Sequence, residues 1–166
     1  MTTASYEAQT YPRLNLKDFT LDENNLERDC PLDNGRHQKL PEYDLGTLDS
    51  LPLEILQEAI SYLDFDTLAA LRRVNARAME VVESVPAYRA TLQLCPNIVR
   101  GLYSIHYGAY VSLNTLWSTL GRARCEDCGD FGGYIYLLTC RRVCFLCFRT
   151  ACRFYPLQIA EASKQY

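Results

Sequence analysis

A chain of 166 residues, 48% hydrophobic and 22% charged with a net charge of −3, has the make-up of a globular protein with room for one domain or two small ones. Its apolar runs are too short to cross a bilayer, and no basic start leads into an apolar stretch, so neither a membrane span nor a secretory signal is expected. A location in the cytoplasm and/or nucleus is therefore expected, where eight cysteines bind metal or pack as small hydrophobes more often than they pair. The charge is uneven. Residues 1–46 carry nine acids against five Lys/Arg, residues 47–85 seven against three, and residues 86–166 four against nine. An acidic front and a basic back fit two modules with different partners, though a solvated surface alone produces the same asymmetry. Residues 1–46 have sparse apolar positions, no sustained period and turn formers at Pro31, Asn34, Gly35 and Pro41. Such a segment cannot bury enough surface to offset its ordering entropy, and a disordered tail is expected. Cys30 and His37 are assigned to no site, and the short pattern Leu14, Leu16, Phe19 specifies no docking place.

From residue 47 the pattern becomes helical. Asp49 or Ser50 can cap a helix, Pro52 suits its first turn, and Glu54 sits well near the positive end of the helix dipole. Ile55, Leu56, Ala59, Ile60 and Leu63 then give one apolar face. Asp64-Phe65-Asp66 ends this helix, and Asp66 can cap the next, which carries Leu68, Ala69, Leu71 and Arg72. Asn75 is the expected cap of a third, with Ala78, Met79, Val81 and Val82 turned inward and Pro86 as punctuation. Three short helices joined by a few residues each should pack as a crossed cluster.

The stretch LDSLPLEILQEAISYLDFDTLAALRRVNARAMEVV resembles the F-box, through Leu51-Pro52, Glu54-Ile55-Leu56, the Leu63-Asp64 turn, Leu68, Leu71 and Val74. The resemblance implies a three-helix module over 47–92 that docks on the Skp linker subunit of an SCF-type ubiquitin ligase. Carried over by position, Leu51, Pro52, Ile55, Leu63, Leu71 and Val74 would contact that partner or support residues that do. Apolar anchors that three short helices cannot bury among themselves call for such a partner. Many F-boxes carry a tryptophan in the third helix where this chain has Ala78.

Two or three further helices are expected in a linker over 93–121, interrupted by Pro96, with Ser112 capping the helix of Leu113, Leu116, Trp117 and Leu120. Trp117, the only tryptophan, is expected in the core. His106 has no nucleophile or carboxylate beside it in sequence and reads as structural.

Residues 122–152 hold Cys125-x2-Cys128 and Cys144-x2-Cys147, fifteen residues apart, the spacing of a tetrahedral four-thiolate site for one structural zinc ion. Gly129 lets the chain bend away from the first pair, and 134–138 alternate as the hairpin between two knuckles, with Gly132-Gly133 as turn residues. Arg124, Arg141 and Arg142 can offset the thiolate charge. Cys140 and Cys152 are alternative ligands, disulfides are the alternative chemistry, and a RING would need about eight ligands. Residues 153–166 are expected to form a terminal helix or tail. CEDCGDFGGYIYLLTCRRVCFLCF followed by FYPLQIAEASKQY is also similar to filamentous-fungal proteins in which an F-box precedes a small cysteine-rich module, a resemblance spanning 48–166.

The expected fold is mainly α: an F-box three-helix cluster, further helices and a small zinc-bound β-hairpin module. The expected role is a substrate adaptor that brings an unknown protein substrate to an SCF ligase, with no catalytic residues of its own. No nucleophile–base pair, phosphate-cradling loop or paired carboxylates appear. The second reading is a zinc-ribbon-like nucleic-acid-binding or transcription-associated protein. It rests on Arg122, Arg124, Arg141, Arg142, Arg149 and Arg153 interleaved with Tyr134, Tyr136 and Phe148. The modest basic excess argues against a nucleic-acid partner.

Overall fold

Three side-chain caps set the frame of the helical part. The computed structural model describes residues 23–33, 40–155 and 163–164. Asp64, in extended conformation, accepts the Thr67 N–H at 2.8 Å and opens α3 (Phe65–Arg72). Asn75 accepts the Ala78 N–H at 2.7 Å and opens α4 (Ala76–Ser84). Ser112 accepts the Thr115 N–H at 3.2 Å and opens α7 (Leu113–Leu120). Between them lie α5 (Pro86–Leu94) and α6 (Pro96–Ser104), each with proline in its first turn, where a missing N–H leaves no bond unmade. Upstream are α1 (Glu23–Asp29) and α2 (Leu53–Ser61), and downstream a hairpin of β1 (Tyr134–Tyr136) and β2 (Arg141–Val143) followed by α8 (Phe145–Thr150). The fold is mainly α with one small antiparallel sheet. Among the described residues no helix is long and apolar enough to cross a membrane.

Two expected caps fall elsewhere. Asp66 lies in the first turn of α3 while Asp64 caps it, because Asp64 holds the extended backbone from which a short carboxylate reaches back over the turn. Asp49 does not cap α2. It lies in a tight 3-10 turn (Gly46–Ser50), where it accepts the Leu45 N–H at 2.7 Å and pairs with Arg77 at 3.1 Å. Burial works to raise the Asp64 carboxyl, but hydrogen bonds from Thr67 outweigh it and hold it below the usual range. A depressed carboxylate stabilises the fold fully above its unfolded pKa, about 3.9, and that contribution is lost as pH falls through the folded value. Asp64→Ala should cost about 1 kcal/mol, read as a lower urea midpoint at neutral pH whose gap to the parent narrows toward pH 3 or so.

One hydrophobic core runs through Leu56, Ile60, Phe65, Leu68, Val81, Val82, Tyr88, Val99, Leu102, Val111, Leu113 and Leu116, so α2–α7 bury their apolar faces together. Phe65 donates its N–H to Val111 at 3.3 Å, and Leu113 donates to Leu63 at 3.0 Å, stitching the α2–α3 turn to the segment before α7. Gly108 sits on this seam, and a Cβ there would overlap the Asp66 carboxylate.

Two features depart from expectation. Within 1–46, where composition predicts a tail, residues 23–33 are held. Leu26 is buried, Leu32 packs on the core, and Asp33 and Glu83 both pair with Arg72, whose side chain is only 10% exposed. Long-range ion pairs and one buried leucine supply what local composition lacks. Residues 1–22 and 34–39, with Leu14, Leu16, Phe19 and His37, lie outside the described residues, as do 156–162 and 165–166 of the expected terminal helix or tail. Trp117 is 41% exposed and not a core residue, because Leu113, Leu116 and Thr119 already occupy the inward face of α7.

Candidate metal centre and docking surface

Gly129 closes the first knuckle. It takes φ +82°, a conformation other side chains resist, and donates its N–H to the Cys125 carbonyl at 3.0 Å. In the second knuckle Cys144 caps α8, and its sulfur accepts the Cys147 N–H at 3.3 Å. The hairpin between them pairs Tyr134 with Val143, Ile135 with Arg142 and Tyr136 with Arg141. It brings the sulfurs of Cys125, Cys128, Cys144 and Cys147 within 4.8 Å of one another. Cys128 and Cys144 are 3.7 Å apart, and tetrahedral zinc with 2.3 Å bonds sets sulfurs about 3.8 Å apart. The four sulfurs fit a metal ion.

Burial works to raise the Cys125 thiol, yet backbone N–H groups of Cys128, Asp127 and Cys144 outweigh it and hold it at about 6. Cys147 is pushed the other way by sulfur hydrogen bonding with Cys128 and Cys144 and by burial. Four thiols this close resist sharing several negative charges, and a dication relieves that repulsion.

Cys140 and Cys152 are not in the cluster. Cys140 is 7% exposed with φ +50°, belongs to the helical core, and directs its sulfur to Thr119 of α7 at 3.9 Å; burial raises its thiol. Thr119 in turn donates to the Cys140 carbonyl at 2.9 Å. The Cys140 thiol is thus a small hydrophobe that fastens the hairpin to α7.

The arginines are held by acids and carbonyls, and Arg141 also lies within electrostatic reach of Cys125. Arg141 pairs with Glu126 at 2.9 Å and with Asp127 at 3.5 Å, Arg122 with Glu126 at 3.2 Å, and Arg153 with Asp127 at 2.8 Å. Arg142 donates to the Gly132 and Leu120 carbonyls, and Arg124 to the Gly129 carbonyl. Tyr136, Phe148 and Phe154 stack among themselves, centroids 5.0 to 6.1 Å apart, around a second small core of Cys125, Val143 and Phe154. The aromatics and most of the arginines grouped above as a nucleic-acid surface are engaged within the module. The Asp127–Arg153 fastening gave no sequence signal, since an acid inside a CxxC turn is ordinary.

In the helical cluster the apolar residues divide. Leu56, Ile60, Leu68, Ala78, Val81 and Val82 are buried. Leu51, Ile55 and Val74 are 41%, 56% and 66% exposed, and Pro52 is exposed beside them. Leu63 and Leu71 are half-buried against the core. Leu48, Leu53 and Tyr62 are further exposed apolar side chains that pattern reading did not single out, because adjacent apolar positions on a short helix do not reveal which faces inward. Ala78, where a tryptophan is common, is fully buried.

A capped helical cluster that leaves this much apolar surface uncovered has the character of a protein-docking module. That module is an F-box domain: the family model for the F-box domain matches residues 48–90. No curated protein and no solved structure matches the chain.

Proposed function

We propose that the protein is a substrate adaptor of an SCF-type ubiquitin ligase, docking through its F-box on the Skp linker subunit and carrying a structural zinc ion on Cys125, Cys128, Cys144 and Cys147. The observation that carries the docking reading is the coincidence of the F-box match with exposed Leu51, Pro52, Ile55 and Val74 over a buried core. Leu63 and Leu71 support those residues from beneath. The zinc reading rests on four convergent sulfurs that leave no position for a reactive water, as structural sites do. In this proposal the F-box is the 47–92 segment, and its working location is the cytoplasm and/or nucleus.

Co-purification with the linker subunit tests docking. The parent chain should recover linker, and Leu51→Ala with Pro52→Ala should lower recovery about tenfold, since truncating central interface anchors costs 1 kcal/mol or more apiece. Equal recovery by both chains, or recovery by neither, would overturn it.

A further inference from the structure

The two-stranded sheet has one covered edge and one open edge. Arg142 in β2 donates its N–H to the Glu126 carboxylate at 3.4 Å and accepts the Glu126 N–H at 2.9 Å, so both main-chain groups point away from β1. In an antiparallel pair, opposed residues alternate between exchanging both hydrogen bonds and exchanging none. The Ile135–Arg142 pair is therefore the non-bonded one, and Ile135 turns its N–H and C=O outward along the free edge of β1. Neither group has a partner among the described residues.

A groove of about 520 Å³ opens along this edge. Ile135, Leu137 and Leu138 of the hairpin line it together with Leu26, Ile98 and Leu120 of the helical part. Among the described residues its one charged lining residue is Arg142, whose guanidinium is bound to the Gly132 carbonyl at 2.6 Å and the Leu120 carbonyl at 3.4 Å.

We propose that the β1 edge and this groove form a docking site for an extended, uncharged, apolar segment of a protein partner, which adds beside β1 as a third strand. The unpaired N–H and C=O of Ile135 select a main-chain partner, and the apolar walls select its side chains. β1 spans roughly 10 Å, so three or four residues of the segment make the contact. The site lies outside the F-box and gives an adaptor a face for its cargo. The inference does not depend on linker docking, and its test omits the linker subunit.

The purified full chain is panned with a phage library of short random peptides, and enriched peptides are resynthesised for titration. Enriched peptides should carry an uncharged segment with alternating apolar residues. N-methylation of successive peptide bonds should abolish binding at every second position, because only alternate amides face the strand. Gly133→Lys should weaken binding about tenfold or more by setting a charge at the groove wall. A Cβ at Gly133 meets only Phe131, at 3.7 Å, so the variant should keep its metal and melting temperature. Should it lose either, Leu138→Asp, at a 46% exposed position lining the same groove, replaces it. No enrichment over the Gly133→Lys chain overturns the proposal. So do peptides indifferent to these substitutions or to the position of the N-methyl group.

Discussion

Chelation of the purified chain should release about one zinc ion per molecule and unfold residues 122–155, while α2–α6 stay folded. The two parts differ in what holds them. Among the described residues the helical part contributes thirteen buried residues to its core, with Cys140 of the hairpin packed against them. Apart from Cys140, which packs on the helical core, the cysteine module's own hydrophobic cluster has three buried residues among those described, Cys125, Val143 and Phe154, and one of those belongs to the four-sulfur cluster. Segments below about 40 residues rarely hold a fold without a metal or disulfide, and structural zinc supplies roughly 10–16 kcal/mol of apparent free energy. Near-ultraviolet dichroism from Tyr134 and Tyr136 should collapse with metal loss while far-ultraviolet helicity largely remains. Cys125→Ser should reproduce the chelated state. Cys140→Ser and Cys152→Ser should keep the metal, since the first sulfur faces Thr119 and the second lies outside the cluster. Full tertiary signal in a metal-free chain, or metal loss in Cys140→Ser, would contradict this picture.

How far the fold could be read in advance depended on the range of the interaction. Asn75 and Ser112 were legible as caps because capping is local: side chain and N–H are three residues apart. The convergence of the four cysteines was legible for the same reason, two pairs each on one turn, with a hairpin of ordinary length between them. What escaped was settled at long range. Ile55 and Ala59 share the apolar pattern of Leu56 and Ile60, yet only the second pair faces α4 and the core, and no period distinguishes neighbours on one short helix. Arg72 reaches Asp33 across 39 residues and Glu83 across 11, which turns polar-looking sequence into a held strap. Cys140 looked interchangeable with a ligand until its left-handed backbone turned the sulfur toward α7. Residues 134–138 read only as one arm of a hairpin. Only the direction of the Arg142 main chain shows that Ile135 leaves an edge open.

Phe65→Ala should destabilise the helical part by about 3–5 kcal/mol, against a total of roughly 5–15 kcal/mol for a domain. Phe65 has no exposed surface, so its ring cannot be replaced by water without a cavity. Its backbone also stands at a junction: the N–H bonds Val111 ahead of α7, and the carbonyl accepts the Tyr103 hydroxyl of α6 at 3.1 Å. Burial pushes that Tyr103 hydroxyl well above its ordinary pKa, so it remains a donor throughout the working pH range. Tyr103→Phe, which removes only this bond, should cost about 1 kcal/mol. Tyr62→Ala, at a 61% exposed neighbour, should stay within about 0.5 kcal/mol. Urea midpoints of the three variants measure the order. The ranking bears on docking as well, because Val99, Leu102, Val111, Leu113 and Leu116 lie beyond the matched residues 48–90 yet complete the core beneath the F-box. Phe65→Ala should therefore lower linker recovery in proportion to the unfolded fraction, whereas Leu51→Ala with Pro52→Ala should lower it at unchanged stability. If Phe65→Ala moved the midpoint no further than Tyr62→Ala, the shared core of α2–α7 would not be the cooperative unit that carries the docking surface.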